Sequence, residues 1–146
     1  MGRGSSAGID RSRLRVVLAT YSLAQPGGTE SYALTVAHEL RRLGHDVTLA
    51  AEEVGPVAEL AERDGLRVAH LPGELPPECD VAMVQDAIVT APVVARYPRA
   101  GVVHIAHSSI FDHQLPVLVP GVVDAVVALS DRVARCIQGL PPEAPL

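Results

Sequence analysis

Short apolar runs alternate along the chain with longer stretches whose apolar positions recur at helical spacing. The run "LRVVLAT" (14–20) is rich in β-branched residues and is followed by a Pro-Gly-Gly loop, which predicts a buried strand. Runs of the same kind recur at 46–52, 66–71, 80–86, 101–109 and 122–130. Between the first two, Tyr32, Val36, Ala37, Leu40 and Leu43 form one stripe of a helix that Thr29 or a neighbour would cap and Gly44 would end. Residues 56–65 begin with Pro and close with Gly, the asymmetry of a short helix. Residues 87–97 read ambiguously, because Pro92 interrupts a helical pattern and proline is tolerated in a first turn. Ser130 is the natural N-cap of a last helix in "SDRVARCIQGL".

Strands alternating with helices through short loops predict βαβ units. The expected fold class is therefore α/β: a three-layer, Rossmann-like, doubly wound and mainly parallel sheet of about six strands, with helices on both faces. A chain of 146 residues suffices for one such domain and is too short for two. The domain is expected to span 14–139, after a disordered segment at 1–13 and before the start of a linker at 140–146.

Composition narrows the function classes. Hydrophobic residues make up 48% of the chain, yet there are only three Tyr, one Phe and no Trp, so the core is aliphatic, as a buried parallel sheet requires. A net charge of −5 with no Lys/Arg-rich stretch argues against a nucleic-acid partner. The most apolar region, 100–123, is broken by three His, one Asp, one Gln and two Pro, so it does not read as a membrane span. The start, "MGRGSSAGIDRSR", lacks the apolar core of a signal peptide, and the expected location is cytoplasmic. Cys79 and Cys136 lie far apart, without metal-ligand spacing, and read as buried packing residues.

Ligands of doubly wound sheets bind beyond the carboxyl ends of the strands. That rule selects Tyr21 to Glu30, Glu52, Glu53, His70, Gln85, Asp86, His107 to Ser109, and Ser130. Gly27 and Gly28 would permit positive φ and close approach of a ligand, with the N–H groups of the following helix favouring an anion such as phosphate. They would equally serve a plain strand-to-helix turn, and with Gly44 they do not make the G-x-G-x-x-G spacing. Glu30, in the first helical turn, would repel an anion and suits the helix dipole. His104 sits inside a strand and reads as packing, whereas His107, at the carboxyl edge, is placed to touch a ligand. Three residues apart on a strand, the two point to opposite faces, which argues against a shared metal ion. Asp86 would orient a hydroxyl, act as a base, or cap a helix. No G-x-S-x-G elbow supports a serine hydrolase.

Several of these pieces resemble, in order and spacing, the N-terminal domain of a GT-B glycosyltransferase of the family 4 type. They are the strand "RVVLAT", the segment "GGTESYALTVAHELRRLGHDVTLA" with its Gly44-His45-Asp46 turn, then "CDVAMVQDA", "GVVHIAHSS" and "VDAVVALSDRVAR", together covering residues 14 to about 139. The resemblance implies a retaining transferase that moves a sugar from a nucleotide-sugar donor, such as a UDP- or GDP-sugar, to a carbohydrate, lipid or small-molecule acceptor. It implies no metal or other cofactor, and it allows peripheral membrane association of the full-length enzyme. The chain resembles only the acceptor-side domain of a two-domain cleft, so alone it is expected to be inactive. Carried over by position, Gly27 and Gly28 would lie under the donor phosphates and reacting sugar, and His107 would contact the transferred sugar or the acceptor. Asp86 matches a polar position near the acceptor, Gln85 stands where the family often has a histidine, and Thr29, Ser108 and Ser130 complete the implied donor- or acceptor-binding set. The alternatives are a free-standing Rossmann-like nucleotide-binding or regulatory module, with Glu52 or Glu53 near a ribose, and a non-catalytic interaction domain whose sheet-edge residues are ordinary caps.

Overall fold

The structure, a computed structural model, describes residues 12–117 and 119–139. The expected linker at 140–146, and all but the last two residues of the expected disordered start at 1–13, lie outside the described residues. The elements run β1 (Arg15–Leu23), α1 (Gly28–Arg42), β2 (Asp46–Val54), α2 (Pro56–Arg63), β3 (Arg67–His70), β4 (Val81–Val84), α3 (Ala87–Arg96), β5 (Gly101–Ala106), a 3₁₀ turn (Asp112–Gln114), β6 (Ala125–Ala128) and α4 (Asp131–Gln138). The six strands form one sheet in the order β3-β2-β1-β4-β5-β6, every pair parallel, which is the doubly wound Rossmann-like arrangement.

The two-residue period of the strands divides the core. Val16 and Leu18 of β1 face one side, where Ala33 and Ala37 of α1 and Val57, Ala58 and Ala61 of α2 cover them. Val17 and Ala19 face the other side, under Val89 and Val93 of α3. Opposite faces follow from right-handed crossovers running leftward from β1 and rightward from β4. Between β3 and β4 the third layer is a loop, since prolines at 72, 76 and 77 forbid a helix. Leu71 and Leu75 of that loop are buried against the sheet, and the Tyr97 hydroxyl donates to the Pro76 carbonyl at 2.6 Å.

Helix ends follow the glycines. The N–H of Gly44 (φ 96°) bonds to the Arg41 carbonyl and that of His45 to the Leu40 carbonyl, a Schellman motif that Gly65 (φ 82°) and Leu66 repeat after α2. His45 also accepts the Leu14 N–H on Nδ1 at 3.1 Å, and the Asp46 N–H donates to the Leu14 carbonyl at 2.8 Å, so the Gly-His-Asp turn has a structural role at each position. Ser130 caps α4 as expected, its hydroxyl accepting the Val133 N–H at 3.3 Å.

Several local expectations are corrected. Thr29 does not cap α1; the N-cap is Gly27, with no side-chain bond, and Thr29 lies inside the helix. Leu43 is 60% exposed rather than part of the stripe, and Ala33 takes the buried place, because the helix ends at Arg42. α3 forms despite Pro92, which falls in its second turn; the carbonyl it frees belongs to Ile88, an exposed residue. Cys136 is exposed on α4 rather than buried, whereas Cys79 is half-buried and packs against the core. β1 and β2 outrun the expected boundaries to Leu23 and Val54, since they pair with each other to their ends.

At the amino edge of the sheet, Arg15 holds Asp80 in a fork, Nε to Oδ2 at 3.0 Å and Nη2 to Oδ1 at 2.6 Å, while the Arg15 N–H donates to Oδ2 at 2.8 Å. Hydrogen bonds from Arg15 hold the Asp80 carboxyl at about 2, against an ordinary 3.8. Because the folded-state value is depressed, this stability is present above the ordinary carboxylate range and is lost as pH falls toward 2. Asp80→Asn is expected to destabilise the fold by roughly 1 to 2 kcal/mol at pH 7, the solvent-open Arg15 end trimming the ion-pair share. Urea unfolding at pH 7 and again near pH 2 checks this: the gap from wild type closes at the lower pH.

Candidate functional site

The strand order reverses between β1 and β4, and the two strands part at their carboxyl ends. β4 stops at Val84 and turns into α3, while β1 continues to Leu23, so past Ala19 the β4 side of β1 has no strand beside it. Asp86 fills that gap. Almost completely buried, at 4% exposure, it accepts the Tyr21 N–H at 2.8 Å and the Thr20 hydroxyl at 3.2 Å, both on Oδ2. It occupies the N-cap position of α3 yet makes no side-chain cap bond. Of the roles open to it in sequence, capping is the one the geometry removes.

Gln85 is fully buried beside it. Its Nε2 donates to the Thr29 carbonyl at 3.4 Å, and its Oε1 meets His107 Nε2 at 2.5 Å. The ring of His107 also stands edge-to-face with Tyr32 of α1, with centroids 4.8 Å apart and planes at 89°. The start of α1, the end of β4 and the residue after β5 are thus tied into one network. Burial pushes the His107 imidazole below its ordinary value, with Asp86 and Glu30 opposing that and His104 adding to it. The ring is therefore held toward its neutral form.

His104 is a packed residue, as its place in a strand implies. It is wholly buried, its Nε2 at 3.0 Å from the Gln114 carbonyl, which ties the 3₁₀ turn to β5. Its Nδ1 is the one buried side-chain nitrogen or oxygen among the described residues without a hydrogen-bond partner. Burial lowers its basicity as well.

Gly27 and Gly28 are both exposed at the mouth of this network, and neither uses positive φ. The freedom that their sequence suggests is not what the turn needs; Gly27 is fully extended at φ −166°. The difference lies in space. A Cβ on Gly27 would run into the Glu30 carboxylate, which curls back over the turn and accepts the Thr29 hydroxyl at 3.0 Å, whereas a Cβ on Gly28 would meet nothing within 4 Å. Glu30 therefore does more than face the helix dipole, since its carboxylate lies over the helix N-terminus and its charge reaches His107.

The structure brings together Gly27, Gly28, Thr29, Gln85, Asp86 and His107, and leaves Ser108 and Ser130 outside the network. The Ser108 hydroxyl accepts the Ile110 N–H at 3.0 Å in the loop after His107, and Ser130 serves α4. Glu52 and Glu53 lie within β2 rather than beyond it, and Glu53 takes the Tyr21 hydroxyl at 3.3 Å. Tyr32 and Thr20 join the site without having been singled out. Tyr32 sits one turn after Thr29 on the same helix face, the spacing that points to it; Thr20 carried no signal beyond its place near a strand end. Among the described residues no group of three or more His, Cys, Asp or Glu is arranged to hold a metal, and no helix is long and apolar enough to cross a membrane.

No family model matches the chain, and no curated protein or solved structure matches it either.

Proposed function

We propose that this chain is the acceptor-side, Rossmann-like domain of a retaining glycosyltransferase that uses a nucleotide-sugar donor. What supports the reading is the meeting of Gly27, Gly28, Gln85, Asp86 and His107 at the point where strand order reverses, the place where sheets of this kind take their ligands. Gly28, beside which a Cβ would meet nothing within 4 Å, gives a ligand close approach to the main chain, while the Glu30 carboxylate covers Gly27. His107, held toward its neutral form, and the Asp86 carboxylate stand behind the two glycines to orient hydroxyl groups. In this reading the domain works in the cytoplasm, needs no metal, and takes a carbohydrate, lipid or small-molecule acceptor. The opposite wall of the cleft supplies the charge that stabilises a leaving diphosphate, so the chain alone binds weakly and does not turn over.

Backbone amide spectra of the 15N-labelled chain, titrated separately with UDP-glucose, GDP-mannose and NAD, test it. A nucleotide sugar should move the signals of Gly27 to Glu30, Gln85 and His107. Gly28→Leu should keep the dispersed spectrum, because its side chain enters open space, while erasing the response. A response to NAD alone, centred on Glu52 and Glu53, would instead favour a nucleotide-binding module, and efficient sugar transfer by the chain by itself would refute the half-cleft reading.

A further inference from the structure

The Gln85–His107 contact fixes more than position. The Thr29 carbonyl oxygen can only accept, so the Gln85 atom facing it at 3.4 Å is the amide nitrogen. The Gln85 atom facing His107 is then the amide oxygen, which also can only accept, and the hydrogen between them sits on His107 Nε2. A neutral imidazole protonated at Nε2 carries its lone pair on Nδ1. That Nδ1 has no hydrogen-bond partner among the described residues, and unlike His104 Nδ1 it is not sealed from solvent. Tyr32, edge-to-face at 4.8 Å, and Gln85, fully buried, leave the ring little freedom to turn.

We propose that Gln85 is a positioning residue that locks His107 in the Nε2–H tautomer, so that the site meets its ligand at Nδ1 as a hydrogen-bond acceptor and selects a hydroxyl donor there. This rests on the switch-point site being the ligand site of the preceding reading, and deepens it by naming the group recognised. The surroundings agree. The other charged groups whose fields reach His107 are the Asp86 and Glu30 carboxylates, both acceptors, and His104, whose ring is turned to Gln114. A phosphate or carboxylate oxygen placed at His107 Nδ1 would face that lone pair with the Asp86 and Glu30 charges near by. The hydroxyl-bearing face of a sugar would instead donate to it.

Two-bond 15N–1H correlation spectra of the imidazoles in the ligand-free chain, at a pH where they are neutral, read the tautomer directly. The expected wild-type pattern for His107 is a pyrrole-type Nε2 and a pyridine-type Nδ1. In Gln85→Leu the two 15N shifts should move toward one another as the lock is lost. Gln85→Glu, which keeps an accepting oxygen, should restore their separation and raise the pH at which His107 titrates. A wild-type ring protonated at Nδ1, or shifts unchanged by Gln85→Leu, would overturn the lock, and the wild-type spectrum decides the first point even if a variant fails to fold. Glucose and inorganic phosphate, each titrated to the same concentration, then test the selection. Glucose should move the Nδ1 signal and phosphate should not; the reverse, or no response to either, would overturn it. A locked tautomer in a chain deaf to nucleotide sugars would leave the role of Gln85 standing and sink the transferase reading, so the two failures are distinguishable.

Discussion

Asp86→Ala should destabilise the fold by about 3 kcal/mol, while Asp86→Asn should cost less than about 1 kcal/mol. The Asp86 carboxylate is the partner of the Tyr21 N–H and of the Thr20 hydroxyl, the latter on a residue only 1% exposed. Truncation leaves two polar groups without partners where no strand can replace them, because β4 has already turned into α3. Each such group costs about 1 to 3 kcal/mol when buried. An asparagine presents a carbonyl oxygen in the same place and keeps both bonds, giving up only the charge. Urea unfolding of the two variants measures this, and equal losses would show that the charge, rather than the accepting oxygen, braces β1. The same pair separates the brace from chemistry, for a ligand response lost in the well-folded Asp86→Asn would assign the carboxylate a direct part in binding.

The division between what the sequence disclosed and what it withheld follows from the range of the forces involved. Strands such as Val16 to Thr20 announce themselves by β-branched content, and Gly44 and Gly65 by the left-handed conformation that ends a helix, both of them local signals. Pairing extends β1 to Leu23 against Val54, which is a tertiary effect with no trace in "YSL". At the site, the rule that ligands gather at carboxyl ends of strands was enough to select Gln85, Asp86 and His107. It could not foresee that Asp86 would turn back to β1 instead of capping α3, because that depends on β4 ending before β1 does. Nor could it show Tyr32 reaching His107, since that depends on how α1 lies across β1 and β2 and brings its first turns over the residue after β5. Gly27 and Gly28 look alike in sequence, but only the path of the Glu30 side chain distinguishes them.

Acidification should destabilise this domain in a window set by two histidines. Burial lowers the affinity of both His104 and His107 for a proton in the folded state, whereas in the unfolded chain each titrates near its ordinary value of 6.5. Below about pH 6.5 the unfolded chain therefore holds more protons than the folded one, and stability falls with pH until the folded-state values are reached. The limiting slope is about 1.4 kcal/mol per pH unit for each histidine, so stability should fall measurably between pH 7 and pH 5. Asp80, held at about 2, contributes only at far lower pH and does not blur this window. His104 should dominate, because it is fully buried and its Nδ1 has no acceptor to receive a second hydrogen; the Asp86 charge offsets part of the cost at both rings, and Glu30 adds to that offset at His107 alone. His104→Leu removes the titrating group and leaves an apolar side chain in an apolar place, although it frees the Gln114 carbonyl. Urea midpoints taken at pH 7.5, 6 and 5 should then fall much less steeply in the variant than in wild type. Parallel curves for the two proteins would mean that the acid sensitivity lies elsewhere, and a flat wild-type curve would mean that neither histidine is held neutral by burial.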